Sequence, residues 1–132
     1  MSFKKSINIH FDECDPAGIV FFAHHFRLAH QVIEAFVQNQ GVSWNEWFAS
    51  PDYGVPLVHV EADYKAPMLA GHTYEAMVEI ENMGESSITF KTRFQSLDDK
   101  VCSEVQTVHA FIDLKTKSKT SIPEKIRKQL QS

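Results

Sequence analysis

One stretch of this chain carries a sustained apolar stripe at helical spacing, and it limits the folds available to everything around it. Between about residues 23 and 40, Phe26, Ala29, Val32, Ile33, Phe36 and Val37 recur in steps of three and four. Arg27, Gln31, Glu34 and Gln38 occupy the opposite side, and Gly41 predicts the helix end. A long helix with a single stripe needs a broad apolar surface to lie on, and the segments that follow it can supply one.

Those segments alternate with period two, the pattern of half-buried strands. A first strand is predicted at about 3–11, with Ile7, Ile9 and Phe11 on one face. Others are predicted at about 55–65, 73–82, 87–96 and 101–114. In the strand at 55–65, Val58, Val60, Ala62 and Tyr64 point one way and Leu57, His59, Glu61 and Asp63 the other. Tyr74, Ala76, Val78 and Ile80, then Ile88, Phe90 and Phe94, mark the inward faces of the next two. The glutamates of the first could face Lys91 and Arg93 of the second, which predicts antiparallel pairing across the turn at Met83–Ser86. In the strand at 101–114 the apolar phase shifts midway, so a bulge or burial of both faces is expected. Ser43 and Glu46 form a capping box that opens a short helix to about Ala49, with Trp44, Trp47 and Phe48 as a lid over the core edge. Pro123 opens a last helix to about Leu130, and the basic run at 115–120 reads as a solvated loop. The expectation is one α+β domain over residues 1–132, a long helix against a meandering antiparallel sheet. Strand order does not follow from the pattern.

The net charge of −4 argues against a non-specific nucleic-acid binder. Cys14 and Cys102 are too few for a disulfide scaffold. The opening residues lack the apolar core of a signal peptide, and no apolar run approaches the length of a membrane span. A cytoplasmic protein with neither nucleic-acid nor membrane partner is expected.

Between the first strand and the long helix, the acidic residues Asp12, Glu13 and Asp15 run into Pro16 and Gly18, which force a tight bend. Such a turn can hold a carboxylate beside helix-start N–H groups that have no intrahelical partner, an arrangement that favours negative charge. Taken alone, the stretch is most simply a polar loop with Asp15 as a cap. However, Asp15-Pro16-Ala17-Gly18-Ile19-Val20, preceded by Cys14 and followed by Phe21 and Phe22, resembles the signature of the 4-hydroxybenzoyl-CoA thioesterase family. It stands in the matching place, after strand one and before the helix, and the later order of elements fits over nearly the whole chain.

The resemblance implies the hotdog fold, a long central helix wrapped by a five-stranded antiparallel sheet. It also implies an acyl-CoA thioesterase that acts as a homodimer or a tetramer of dimers, with its site at the subunit interface. Asp15 would be nucleophile or general base, and the backbone amide of Phe22 the oxyanion donor. Some relatives carry a histidine at that position and this chain does not. No cofactor is expected, since coenzyme A is part of the substrate. The loop residues Gly18, Ile19 and Val20 would line the substrate. Phe21, Phe22 and Phe26 suit an aromatic acyl group, although core packing explains them equally.

Several other residues are candidates. His24 or His25, at the first helical turn, would touch substrate or orient water, an exposed polar residue or a dimer contact being an equal alternative; His24 is the expected substrate contact. With His30 they lack a ligand partner at familiar spacing, so no metal is expected. His59, sharing a strand face with Glu61 and Asp63, is a supporting candidate, although the wet or intersubunit face of a sheet is the commoner explanation. Cys14 reads as a small buried residue. For the coenzyme A phosphates the resemblance points to the turn Gly84-Glu85-Ser86-Ser87, where Gly84, Ser86 and Ser87 offer donors but Glu85 replaces an arginine cluster, and Lys65, Lys91 and Arg93 could add positive charge. Two rivals remain: a non-catalytic hotdog module that binds acyl-CoA or acyl carrier protein, and a hotdog dehydratase, against which the Asp-Pro-Ala-Gly loop speaks.

Overall fold

The structure, a computed structural model, describes residues 2–132. Five strands, β1 (Ser2–Asn8), β3 (Leu57–Tyr64), β4 (Thr73–Met83), β5 (Ser87–Ser96) and β6 (Val101–Ala110), form one antiparallel sheet in the order β1-β4-β5-β6-β3. A small second sheet pairs β2 (Tyr53–Gly54) with β7 (Ile112–Asp113). Helix α1 (His24–Asn39) lies across β4, β5 and β6. Short helices α2 (Trp44–Phe48) and α3 (Glu124–Gln131) complete the fold. The α+β class and the five-stranded sheet agree with expectation. The helix expected to be long has 16 residues, an ordinary length.

The core is the interface between α1 and the sheet. The helix buries Leu28, Ala29, Val32, Ile33, Phe36 and Val37, which meet the inward residues Ala76, Val78, Ile88, Phe90, Phe94 and Val105. Phe36 packs edge-on to Phe90 at 6.3 Å and beside Phe3 at 5.9 Å. Each buried Val, Leu, Ile or Phe contributes about 2 kcal/mol by leaving water, and this burial is what holds α1 in place. Phe26, expected in the stripe, is only half-buried at its edge. The predicted pairing of charges is present: Glu79 lies opposite Lys91 in the β4–β5 register, and Lys91 Nζ is 3.8 Å from Glu81.

Two expected boundaries change. The first strand stops at Asn8, because its partner β4 begins at Thr73, opposite Asn8. The chain then turns through a single 3-10 turn at Phe11–Glu13, which leaves Phe11 85% exposed rather than inward. The strand predicted over 101–114 ends at Ala110; Phe111 is buried, and Ile112–Asp113 joins the small sheet. Its phase shift has a specific origin. The register slips between Phe94 and Gln95, Cys102 and Ser103 are both buried, and Thr107 and His109 take inward places that apolar residues ordinarily hold. β3 is an edge strand exposed on both faces, with Leu57, Val58, Val60 and Tyr64 each at least 37% accessible. Of the expected lid residues, only Trp47 enters the core.

Candidate active site

Residues 13–21 form a small hairpin with Gly18 at its tip. Gly18 sits at φ +80°, a left-handed conformation that a side chain resists. Its N–H donates to Asp15 O (2.9 Å), Asp15 N–H to Ile19 O (2.9 Å), and Phe21 N–H to Glu13 O (3.0 Å). The hairpin is fastened to the segment after β3 by Val20 N–H to Met68 O (2.9 Å) and Ala70 N–H to Gly18 O (3.0 Å). Its base is clamped by Glu13, whose buried carboxylate accepts from His10 N–H (2.7 Å) and from the Arg27 guanidinium on α1 (2.8 Å).

Asp15 is half-buried. Its Oδ1 accepts the Ala17 N–H at 2.9 Å, and among the described residues Oδ2 has no partner. One oxygen therefore fixes the carboxylate while the other stays available. At the start of α1 no side chain caps the helix. The amides of Phe22 and Ala23 donate to nothing among the described residues, although those of His24 and His25 bond back to Phe21 O and Phe22 O. The Tyr64 hydroxyl, from the end of β3, donates to Phe22 O at 2.9 Å and secures the turn.

These groups share one cleft of about 530 Å³. Its lining includes Asp15, Ile19, Val20, Phe22, Tyr64 and Lys65, with Met68 and His25. The cleft is mostly apolar, with a carboxylate and the residue of one free amide, Phe22, in its lining, an arrangement able to hold an apolar acyl group while charge develops on a carbonyl oxygen.

The predicted site residues divide accordingly. Asp15, Ile19, Val20, Phe22 and Lys65 line the cleft, and Gly18 shapes it from the hairpin tip. His24 does not line it; its ring sits edge-on to Phe21 at 5.8 Å. His25, one residue on, takes that place. The helix phase explains the exchange, since position 25 falls in line with buried positions 28, 29, 32 and 33 while 24 falls outside. His59 is also outside, on the exposed edge strand with Nε2 3.2 Å from Glu61. Gly84, Ser86 and Ser87 form the β4–β5 turn, away from the cleft within one chain. That turn is tied to the C-terminal segment by Arg127 to Gly84 O (2.9 Å) and by Phe111 N–H to Ser86 O (2.7 Å). Lys65 Nζ is paired with Glu104 at 2.9 Å, and Glu104 also meets Lys91 at 3.2 Å. Tyr64 and Met68 were not singled out as site residues in the sequence. Cys14 is half-buried, and burial pushes its thiol pKa up, as befits an unreactive residue. Among the described residues no cluster of side chains could hold a metal ion, and no helix is long and apolar enough to cross a membrane.

A carboxylate hairpin facing the bare N-terminus of a helix laid on a five-stranded antiparallel sheet defines a hotdog-fold protein of the thioesterase type. The chain belongs to the Thioesterase-like superfamily, whose family model matches residues 9–130. A 1,4-dihydroxy-2-naphthoyl-CoA hydrolase from Crocosphaera subtropica is 28% identical over 94% of this chain and 92% of its own. The crystal structure of a 1,4-dihydroxy-2-naphthoyl-CoA thioesterase from Synechocystis superposes with a TM-score of 0.92 at 20% identity, covering 100% of this chain and 97% of the other. A Staphylococcus aureus protein solved in complex with CoA superposes with a TM-score of 0.89 at 14% identity, over 99% of this chain and 82% of its own. The enzyme class read from the sequence, a thioester hydrolase, is the class named for these curated relatives. The matching family is broader than the 4-hydroxybenzoyl-CoA family that the motif resembles, and the relatives are named for a naphthoyl group.

Proposed function

We propose that this protein hydrolyses the thioester of a small aromatic acyl-CoA to the free acid and coenzyme A. The observation that carries the reading is that the Asp15 carboxylate, with one oxygen free, and the unbonded Phe22 amide border the same apolar cleft. The acyl group lies between Phe22 and Tyr64 over Val20 and Met68, with its carbonyl oxygen towards the Phe22 N–H. Asp15 Oδ2 either attacks the carbonyl carbon or takes a proton from a water that does. The C–S bond breaks and the thiolate leaves and is protonated. In the first route water then opens the mixed anhydride, so both routes end in acid and thiol. The helix N-terminus and the amide stabilise the oxyanion in either case. The names of the relatives support an aromatic acyl group, and the structure solved with CoA supports that carrier. The exposed apolar edge of β3 supports pairing of two copies along that strand, as a homodimer or a tetramer of dimers.

The test is thiol release from a panel of acyl-CoAs, aromatic and short aliphatic, by the wild type and by Asp15→Asn. The substitution should lower kcat by roughly 10²- to 10⁴-fold while substrate still binds. No turnover on any member, or an Asp15→Asn protein as active as wild type, would overturn the reading.

A further inference from the structure

The floor of the cleft carries one polar side chain that the proposed hydrolysis does not use. Among the lining residues Val20, His25 and Met68 are buried and form the floor, and of these His25 alone is polar. Its Nδ1 lies 2.9 Å from Ser103 Oγ on β6, and Ser103 is fully buried. The ring is held edge-on by Tyr64, with centroids 4.8 Å apart, and by Phe94 at 6.3 Å. Nε2 has no protein partner among the described residues, yet it is not one of the sealed polar atoms, as both ring nitrogens of His109 are. It is the ring nitrogen open to the cleft.

Hydrogen-bond accounting fixes the tautomer. Ser103 Oγ has no other partner among the described residues. If it accepted from Nδ1–H, its own O–H would be buried with nothing to donate to, whereas an unused hydroxyl lone pair costs far less. Ser103 therefore donates to Nδ1, and Nε2 carries the hydrogen. Burial, reinforced by neighbouring His24, pushes the His25 pKa down to about 4, so the ring stays a neutral donor at neutral pH.

We propose that His25 is the specificity-determining residue of the cleft. Its Nε2–H donates to an oxygen that the acyl group carries beyond its thioester, so hydroxylated or oxo-substituted aryl groups are selected over bare rings. The inference rests on the thioesterase reading above. A bare ring would cover Nε2–H without offering an acceptor, and a site built around a hydrogen bond rejects the analogue that lacks its partner.

The experiment compares kcat/KM by thiol release for two pairs, 4-hydroxybenzoyl-CoA against benzoyl-CoA and 1,4-dihydroxy-2-naphthoyl-CoA against 2-naphthoyl-CoA. The hydroxyls change the intrinsic reactivity of the thioester, so the quantity read is the change in each ratio between proteins. In at least one pair His25→Phe should lower the hydroxyl-to-bare ratio about tenfold to hundredfold. Ser103→Ala, which keeps the imidazole but releases its tautomer, should lower it about threefold or more. If His25→Phe shows no cooperative melt, the Ser103→Ala ratio decides. Ratios equal in wild type and variants, with hydrolysis intact, overturn this inference alone. A wild type that releases no thiol from any of the four overturns the thioesterase reading and this one with it.

Discussion

Glu13 shows how much the hairpin that carries Asp15 depends on a residue outside the cleft. The residue is 5% exposed, and its carboxylate accepts from two donors, the His10 amide and Arg27. In Glu13→Gln one of the two acceptor oxygens becomes an NH2 group, which cannot accept, so either the His10 N–H or the guanidinium loses its partner. The expected loss is about 2 kcal/mol of stability, the usual cost of removing a hydrogen bond to a charged group. Activity should fall as well, because the clamp sets the hairpin that carries Asp15 relative to α1. Urea unfolding and thiol-release rates measured on the same preparation check both. Asp15 itself was legible in the sequence because its turn is local: Pro16 and Gly18 dictate the bend wherever the fold places it. His25 was legible only as one of a pair, and the phase of the stripe that separates it from His24 was already present in the sequence. Tyr64 at the end of β3 and Met68 in the segment after it reach the cleft through contacts across some forty residues or more that no local pattern encodes.

Among the elements, β4 and β5 were readable residue by residue because each has one wet and one dry face. The capping box of α2 was readable too, with Glu46 N–H to Ser43 Oγ at 3.1 Å and Ser43 N–H to Glu46 Oε2 at 3.2 Å. β6 was not, because polar residues hold inward positions. Thr92 on β5 and Thr107 on β6 are buried, and their hydroxyls find no partner among the described residues. Valine has nearly the same shape without the stranded hydroxyl. Thr92→Val and Thr107→Val should therefore each stabilise by about 1 kcal/mol, raising Tm by roughly 4 °C. A fall in Tm by calorimetry would mean that the hydroxyls do have a partner. The ends of β1 and β6 escaped the pattern for another reason: where a strand stops depends on where its neighbour stops, which is set by the sheet and not by the strand.

For the molecule as a whole, two buried imidazoles make acid the natural denaturant. Burial holds His25 and His109 at about 4 against an ordinary 6.5. The unfolded chain therefore binds protons that the folded one refuses. Stability from these rings is complete above pH 6.5 and drains away as pH falls towards 4, by up to about 3 kcal/mol per ring. The midpoint of urea unfolding should drop steadily between pH 7 and pH 4.5. His109→Phe, which removes one of the two groups from between Trp47 and Phe90, should flatten that slope by about half. A slope unchanged by the substitution would place the pH dependence elsewhere.

The hairpin that presents Asp15 is joined to its neighbours at Val20 and Gly18 through peptide groups. Apart from the glycine that the turn requires at position 18, links of this kind do not depend on the side chains of the residues they join. Substitutions along the cleft wall can therefore leave the Asp15 carboxylate where it stands. A scaffold wired this way can drift far in sequence and diversify its diet while its chemistry stands still.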